Sequence, residues 1–318
     1  MTRQPNLDLK ARLYSGSRAA GAAVLLIGGL GLIGWALDIA TLKSVLPGLV
    51  TMKANTALAL VLAGGSLLIV SAEQADRRLC HIAQSCAAIV ALIGLLTLSL
   101  YLLGWDLGID QLLFKEPSGA VGTFAPGRMA PMTALNFLMI GLALLTMDAP
   151  RDFRLVRHLI LPAGLIGLLS VTRYAYGVRA LYGVSTYTEM AIHTAVAFIL
   201  LSVGMLWARP ARGLMAIVVS DSVGGVVARR FLPAAIGVPF LLGWLSVIGQ
   251  RAGLYGTEFG VALFGVSSMV VLAVIVRWNA GLLYRVDADR KWAQERLQTA
   301  YVALEERVEE RTAQCGVR

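Results

Sequence analysis

The sequence predicts an all-α, polytopic integral membrane protein: eight transmembrane helices arranged as four repeated hairpins, followed by a C-terminal cytoplasmic coiled-coil helix. Three observations lead to this fold class. Of the 318 residues, 57% are hydrophobic and only 15% are charged, whereas soluble domains carry about 25% charged residues. Eight stretches of about the length of a membrane helix are free of charge. After these stretches, near residue 279, the composition changes abruptly to charged.

A bilayer core about 30 Å thick requires about 20 apolar residues in a helix. The charge-free stretches of this kind are 19–37, 54–72, 82–105, 129–147, 159–172, 190–208, 231–250 and 259–276. Arg173 shortens the fifth stretch, but the sequence TRYAY can continue the helix to the interface, where Arg and Tyr side chains reach water. The apolar stretch 213–220 is too short to cross, so it is predicted to lie at the interface in a cytoplasmic loop.

The positive charges predict the orientation of the spans. With the N-terminus inside, 21 of the 28 Lys and Arg residues fall on the cytoplasmic side, as the positive-inside rule describes. A net charge of +9 would suggest nucleic acid in a soluble protein, but here it reflects membrane topology. We therefore expect the lipid bilayer as the surroundings of the chain, both termini in the cytoplasm and no nucleic-acid partner.

The chain divides into three predicted parts. Residues 1–18 form a cytoplasmic tail, residues 19–277 form the eight-span membrane domain, and residues 278–318 form a cytoplasmic helix or linker. From Asn279 to Gln314 the sequence is charged and free of Pro, and apolar residues recur at spacings of three and four. These residues are Leu283, Val286, Ala293, Leu297, Leu304 and Val308. The pattern indicates a loose coiled coil, and hence a homodimer formed through residues 279–314.

Three of the spans begin alike, which predicts an internal repeat. Their sequences are MKANTALALVLAGGSLLIV from residue 52, MAPMTALNFLMIGLALLTM from 129 and MAIHTAVAFILLSVGMLWA from 190. The repeat-motif residues are Met52, Asn55, Thr56, Met129, Met132, Thr133, Met190 and Thr194. A weaker echo relates LPAGLIGLLS before RALYG to LPAAIGVPFL before RAGLYG, so we expect four repeated hairpins. Packing and capping between helices account for the repeated Thr residues.

Ionisable and aromatic residues collect near the predicted outer ends of the spans. Ionisable groups in a membrane are costly unless they are paired or wetted, so these residues are candidates for a ligand pocket. The candidate ligand-binding residues are Arg128, Arg173, Tyr176, Arg179, Glu189, His193, Arg251, Tyr255 and Glu258, with Tyr182 and Tyr187 nearby. The ligand would be small and anionic or aromatic. The other reading is an interfacial belt of Tyr and Arg with ion pairs such as Arg179 with Glu189.

The sequence offers no catalytic residues and no metal site of recognisable spacing. It contains no phosphate-binding loop, no zinc-protease motif and no nucleophile elbow, and its three Cys residues have no metal-ligand pattern. His193 is the one His within a span. It lies three residues after Met190, so copper or haem ligation is conceivable, but a hydrogen-bonded role in helix packing is the preferred interpretation. We expect no cofactor.

Several stretches carry a family resemblance. They are GWDLGIDQLLF, PGRMAPMTALNFLMIGLALL, EMAIHTAVAFILLSVGML, and GQRAGLYGTEFGVALF running into WNAGLLYRVDADRKWAQERL. Together these stretches resemble the N-terminal multi-span membrane sensor region of bacterial sensor histidine kinases and cyclic-di-GMP signalling proteins. The ending LEERVEERTAQ is similar to the linker that leads to a catalytic domain in those proteins. The resemblance implies a cell inner membrane location and a kinase or cyclase output domain in cis or in trans.

The expected function is therefore that of a membrane sensory module of a bacterial signal-transduction protein of the two-component type. A stimulus would pass through span eight to the cytoplasmic coiled coil. This chain has no phosphoacceptor His, ATP-binding box or cyclase motif, so it resembles the non-catalytic half of a sensor histidine kinase. Two alternatives remain: a small-solute transporter or channel, and a membrane protein that binds haem or copper.

Overall fold

A computed structural model describes residues 7–46, 48–72, 76–105, 108–117, 121, 123, 125–147, 153–177, 189–211, 213–220 and 222–315. These residues form helices, and none of them lies in a strand. The α-helices are α1 (Leu7–Ala36), α2 (Ala40–Ser44), α3 (Ala54–Val70), α4 (Arg77–Leu103), α5 (Pro131–Thr146), α6 (Phe153–Tyr176), α7 (Ile192–Trp207), α8 (Gly213–Val219), α9 (Val223–Arg251) and α10 (Thr257–Cys315), with a 3₁₀ turn at Ile109–Gln111.

Five of these helices, α1, α4, α6, α9 and α10, contain segments long and apolar enough to cross a membrane. Three shorter apolar helices, α3, α5 and α7, alternate along the chain with the long helices α1, α4 and α6. The prediction that the fifth apolar stretch continues through TRYAY is confirmed, because α6 runs to Tyr176. The stretch at 213–220 forms the short helix α8, which is too short to cross a bilayer. The structure is that of a helical membrane protein.

The chain separates into two compact units, Met1–Asp221 and Ser222–Arg318. In the first unit, six helices form a closed ring in which each packs against the next, in the order α1, α3, α4, α5, α6, α7 and back to α1. The three short helices α3, α5 and α7 also contact one another, so they make up the inside of the bundle. The longer helices α1, α4 and α6 each bury about a third of their apolar stretch and expose the rest.

The inner helices bury the same positions of the repeated sequence. Counted from the motif threonines Thr56, Thr133 and Thr194, the residues at 0, +1, +3, +4, +7, +8, +10 and +11 are buried in all three helices. This spacing covers one broad face of a helix. At position +4 the residues are Leu60, Phe137 and Phe198, and the two rings lie edge to face at 4.9 Å. The sequence repeat is therefore also a repeat of packing.

One glycine in each of the long helices α1, α4 and α6 allows its backbone to approach the neighbouring inner helix closely. An added β-carbon would lie 2.7 Å from the facing carbonyl oxygen in α3, 2.5 Å in α5 and 3.0 Å in α7. These glycines are Gly28, Gly94 and Gly167, and the facing carbonyls belong to Ala57, Ala134 and Ala195. Small residues at such crossings are the usual means of helix association in membranes, where lipid tails are as apolar as Leu.

The second unit contains α9 and the 59-residue helix α10, which pack against each other near the turn between them. Ser246 donates a hydrogen bond to the Gly260 carbonyl at 3.0 Å, and Tyr255 donates one to the Ser246 carbonyl at 3.1 Å. Within this unit the apolar stretches of α9 and α10 are 11% and 6% buried. Their side chains therefore present a mainly lipid-compatible surface.

We predict opposite effects for two neighbouring glycines of α1. A β-carbon on Gly28 would lie 2.7–3.0 Å from atoms of α3, whereas one on Gly29 would meet no atom within 4 Å. Gly28→Ala should therefore lower the unfolding free energy by about 1–3 kcal/mol through overpacking. Gly29→Ala should leave it unchanged or raise it by up to about 1 kcal/mol, because Ala favours the helix. Unfolding in mixed detergent and SDS micelles measures both, and equal effects would contradict the close crossing.

Candidate functional site

In each of the long helices α1, α4 and α6, an aromatic side chain donates a hydrogen bond to the start of the inner helix that follows. Trp35 Nε1 donates to the Met52 carbonyl at 2.8 Å. The hydroxyl of Tyr101 donates to the Met129 carbonyl at 2.9 Å, and the hydroxyl of Tyr174 donates to the Met190 carbonyl at 2.8 Å. Each aromatic residue lies seven positions, about two turns, after the glycine of its helix. The glycine and the aromatic residue are therefore on the same face of that helix, toward the same inner helix. We call these contacts the aromatic anchors.

A cation lies over the ring of each anchor, and a carboxylate neutralises each cation. Lys43 Nζ lies 4.9 Å from the centre of the Trp35 ring, and Asp38 accepts from it at 2.5 Å. The guanidinium carbon atoms of the other two cations lie 5.5 Å and 4.5 Å from the tyrosine ring centres. These two sets are Arg128 with Tyr101 and Asp110, and Arg173 with Tyr174 and Glu189. The same end of the bundle thus carries the same charge arrangement three times.

The first repeat adds a buried ion pair. The Lys53 and Glu116 side chains are 3% and 2% exposed, and Lys53 Nζ lies 2.5 Å and 2.7 Å from the two carboxylate oxygens. Lys53 also donates to the Thr123 hydroxyl at 2.6 Å, and Thr51 donates to Glu116 at 3.1 Å. Burial lowers the pKa of Lys53 below its ordinary value, and the Glu116 carboxylate opposes this shift. Lys53 is the residue before α3, so the pair holds the α4–α5 connection against the start of that helix.

Gly127 completes the surroundings of Glu116. Its backbone N–H donates to Glu116 Oε2 at 2.6 Å, and its φ of +75° is a conformation that a side chain would disfavour. A β-carbon on Gly127 would also collide with the Asp110 carbonyl. The next residue, Arg128, pairs with that same Asp110 at 2.6 Å. The Lys53–Glu116 pair and the second anchor therefore belong to one network of the connecting chain.

The candidate ligand-binding residues have the following positions. Arg128 and Arg173 are paired with Asp110 and with Glu189, at 2.6 Å and 2.5 Å. Tyr176 is half-buried at the end of α6. In the second unit Arg251 and Glu258 are exposed and Tyr255 donates to the Ser246 carbonyl.

The candidate Arg179 and the nearby Tyr182 and Tyr187 lie outside the described residues. The interfacial reading had suggested Arg179 as an example of a partner for Glu189, whereas the structure pairs Glu189 with Arg173.

The repeat-motif residues lie at the starts of the three inner helices. The motif Thr residues are 1–3% exposed, and the backbone carbonyls of Met52, Met129 and Met190 accept from the anchors. At the variable motif position, Asn55 Oδ1 accepts from the Thr56 N–H at 2.9 Å, and Met132 is 39% exposed. His193 occupies this position in α7, and both of its ring nitrogens are buried without a partner among the described residues.

The sequence patterns do not single out several of these residues. Lys53, Asp110 and Glu116 were not among the candidates, and neither were the anchors Trp35, Tyr101 and Tyr174. A signal for the anchors exists, since Gly and an aromatic residue are seven positions apart in each long helix. Lys53 also carries a signal, because it is a cation inside a repeat whose other copies have Ala at that position.

The arrangement can hold charge and restrain helix ends, and Lys43, Lys53, Arg128 and Arg173 each have a carboxylate partner. No group of three or more His, Cys, Asp or Glu side chains suited to a metal occurs among the described residues. The expectation of no cofactor stays a prediction, with haem or copper at His193 as its alternative. Comparison with known protein families gives no match for this chain, and comparisons with curated proteins and with solved structures give none either.

We predict that the Lys53–Glu116 pair is required for stability. Lys53→Met leaves the Glu116 carboxylate buried without its cation, so the unfolding free energy should fall by about 3–5 kcal/mol. Adding Glu116→Gln to this variant should recover much of the loss, because the uncompensated charge is removed. Unfolding of the single and double variants in lipid–detergent mixtures measures both effects.

Lys43→Met is the matched control for this experiment. Its partner Asp38 is 92% exposed, so water replaces the lost cation and a much smaller loss is expected. The stabilising role of the buried pair would be refuted if Lys53→Met and Lys43→Met had equal effects.

Proposed function

We propose that this chain is the membrane sensory module of a bacterial signal-transduction protein of the two-component type. A stimulus at the outer face or within the bilayer changes the packing of the helices. The second unit passes this change through α10 to a kinase or cyclase output domain in the cytoplasm, in cis or in trans. The eight long or short apolar helices make four hairpins in the inner membrane, with both termini in the cytoplasm.

One observation carries this proposal: α10 is a single helix from Thr257 to Cys315. Its first part, Thr257–Trp278, is apolar enough for a membrane span, and the charged part after residue 279 continues without a break. At 1.5 Å per residue the charged part is about 55 Å long. A rigid helix that joins a membrane span to a charged segment can carry a shift of position or rotation over that length.

The charged part of α10 has an apolar stripe that supports a homodimer. Leu297, Tyr301 and Leu304 are 66%, 73% and 61% exposed, and their spacings of four and three put them on one face of the helix. Such a stripe is the sequence pattern of a coiled coil. Pairing of two copies through residues 279–314 would cover these side chains and would fix the rotational register in which an output domain is held.

The energy of the response comes from differential binding of the stimulus to two helix packings. A ligand shifts such an equilibrium only by the difference between its affinities for the two states. Couplings of this kind are typically about 1–3 kcal/mol, which suffices for displacements of one or two Å between packed helices.

We predict that both chain ends lie on the cytoplasmic side. Eight spans place both ends on the same side, and the surplus of Lys and Arg in the corresponding connections predicts that this side is the cytoplasm. A phosphatase reporter, active only outside the cytoplasm, should be inactive when fused after Cys315 and active when fused near residue 120. Activity at both positions or at neither would contradict the eight-span topology.

We predict that signalling through α10 depends on helical register. One residue inserted after Asp287 rotates everything beyond it by about 100°, so the output of a fused kinase domain should change strongly. A seven-residue insertion at the same site is the matched control, because it restores the face of the stripe to within about 20°. Autophosphorylation of the fused kinase in native membranes is the measurement.

If both insertions leave the kinase output unchanged, transmission through α10 is wrong. If both abolish the output equally, the coupling depends on length and the register mechanism is wrong.

A further inference from the structure

Buried polar atoms without partners are concentrated on one side of the first unit. Among the described residues, these atoms include Asn136 Oδ1, Ser170 Oγ, Thr194 Oγ1 and Ser202 Oγ, on α5, α6 and α7. The four residues are 0%, 2%, 1% and 5% exposed. An unpaired buried polar group costs about 1–3 kcal/mol, and native proteins pair nearly all of them. Four such groups on neighbouring helices therefore point to further hydrogen-bonding partners.

Ser170 and Thr194 lie at the same level of the α6–α7 crossing. On one side of this level, a β-carbon on Gly167 would lie 3.0 Å from the Ala195 carbonyl. On the other side, the Tyr174 hydroxyl donates to the Met190 carbonyl. Ser170 lies between Gly167 and Tyr174 at helical spacing, and Thr194 lies between Met190 and Ala195, so both buried hydroxyl residues are at this level of the crossing.

Asn136 of α5 and Ser202 of α7 meet two adjacent α6 residues, Ala163 and Gly164, at a second level of that helix. Asn136 Nδ2 donates to the Ala163 carbonyl at 3.3 Å, which leaves its Oδ1 free. A β-carbon on Gly164 would lie 3.2 Å from the Ser202 Oγ. The two levels are seven residues apart on α6, which corresponds to about 10 Å. We call Asn136, Ser170, Thr194 and Ser202 the polar seam.

At two of the four seam positions, the repeated packing does not require a polar side chain. Asn136 occupies the position held by Ala59 in α3 and Ala197 in α7. Ser202 occupies the position held by Gly64 and Gly141. Two other buried hydroxyls of the first unit are satisfied by the chain itself. Ser66 donates to the Ala83 carbonyl at 2.9 Å, and Ser17 donates to the Gly204 carbonyl at 2.8 Å.

We propose that the polar seam is a binding site for small uncharged hydrogen-bonding molecules, and that water occupies it. Its side chains provide hydroxyl donors and oxygen acceptors without a charge, and a buried water bonds two to four such groups. His193, beside Thr194, has both ring nitrogens buried and can bond the same molecules. This site lies within the bundle and goes beyond the sensory function proposed above, on which it does not depend.

Water-edited solid-state NMR of the full chain in lipid bilayers tests the proposal without any substitution. Magnetisation from water should reach Ser170 and Thr194 at short mixing times. The dry reference residues are Ala195 and Ala197, which are 0% exposed and lie on the same helix as Thr194. Ser170→Ala combined with Thr194→Val should abolish the rapid transfer to His193. Thr172→Val is the matched control, because the Thr172 hydroxyl bonds to the Leu168 carbonyl of its own helix.

The outcomes distinguish the occupants. Rapid transfer to Ser170, Thr194 and His193 in the unmodified chain, with the transfer to His193 lost in the double variant, supports bound water. An uncharged organic molecule that co-purifies with the unmodified chain, and is lost in the double variant, supports the same site with another occupant; mass spectrometry of a solvent extract detects it. Transfer to Ser170 and Thr194 as slow as to Ala195, with no co-purifying molecule, overturns the proposal.

Discussion

The close approach of helix backbones at Gly28, Gly94 and Gly167 is the constraint on which the first unit depends. Between helices in lipid there is little hydrophobic driving force, so van der Waals contact and hydrogen bonds must hold them together. Each glycine lets its helix come within contact distance of a carbonyl in the following inner helix. Two turns later, the same helix face brings an aromatic donor to a methionine carbonyl. The absence of a side chain at each glycine thus allows the close crossing, and this crossing brings the aromatic donor to the start of the inner helix.

The three anchors share a design but differ in their access to water. The carboxylates Asp38 and Glu189 are 92% and 36% exposed, whereas Asp110 is 6% exposed and the additional Glu116 is 2% exposed. A charged molecule that approaches the second anchor would have to separate a buried pair, at a cost that its own contacts must offset. At the third anchor, Glu189 meets water, but Arg173 itself is 8% exposed against 13% for Arg128, so the two candidate arginines differ in the exposure of their carboxylate partners. The sequence treats these arginines alike, and burial distinguishes them.

Much of the fold was predictable because apolar length and periodicity are local properties. The eight charge-free stretches became helices, and the repeat around Thr56, Thr133 and Thr194 became one set of buried positions. The partners of the charges were not predictable in this way. Lys53 and Glu116 are 63 residues apart, and the connection that brings them together follows no helical or strand period. The polar seam was not predictable either: the aligned repeats show that Asn136 and Ser202 differ from their counterparts, but only the structure shows that their oxygen atoms are buried without partners.

The two units differ in how much packing a displacement would disturb. Each helix of the six-membered ring has neighbours on both sides, and the inner helices contact one another as well, so movement of one of them breaks contacts with several. In the second unit, α9 and α10 bury 11% and 6% of their apolar stretches, and much of α10 runs beyond the span. Few contacts resist rotation or sliding of such a helix, and helical hydrogen bonds keep it stiff along its length. Low lateral restraint within the second unit, combined with high axial stiffness, is the combination that the transmitting role proposed for α10 requires.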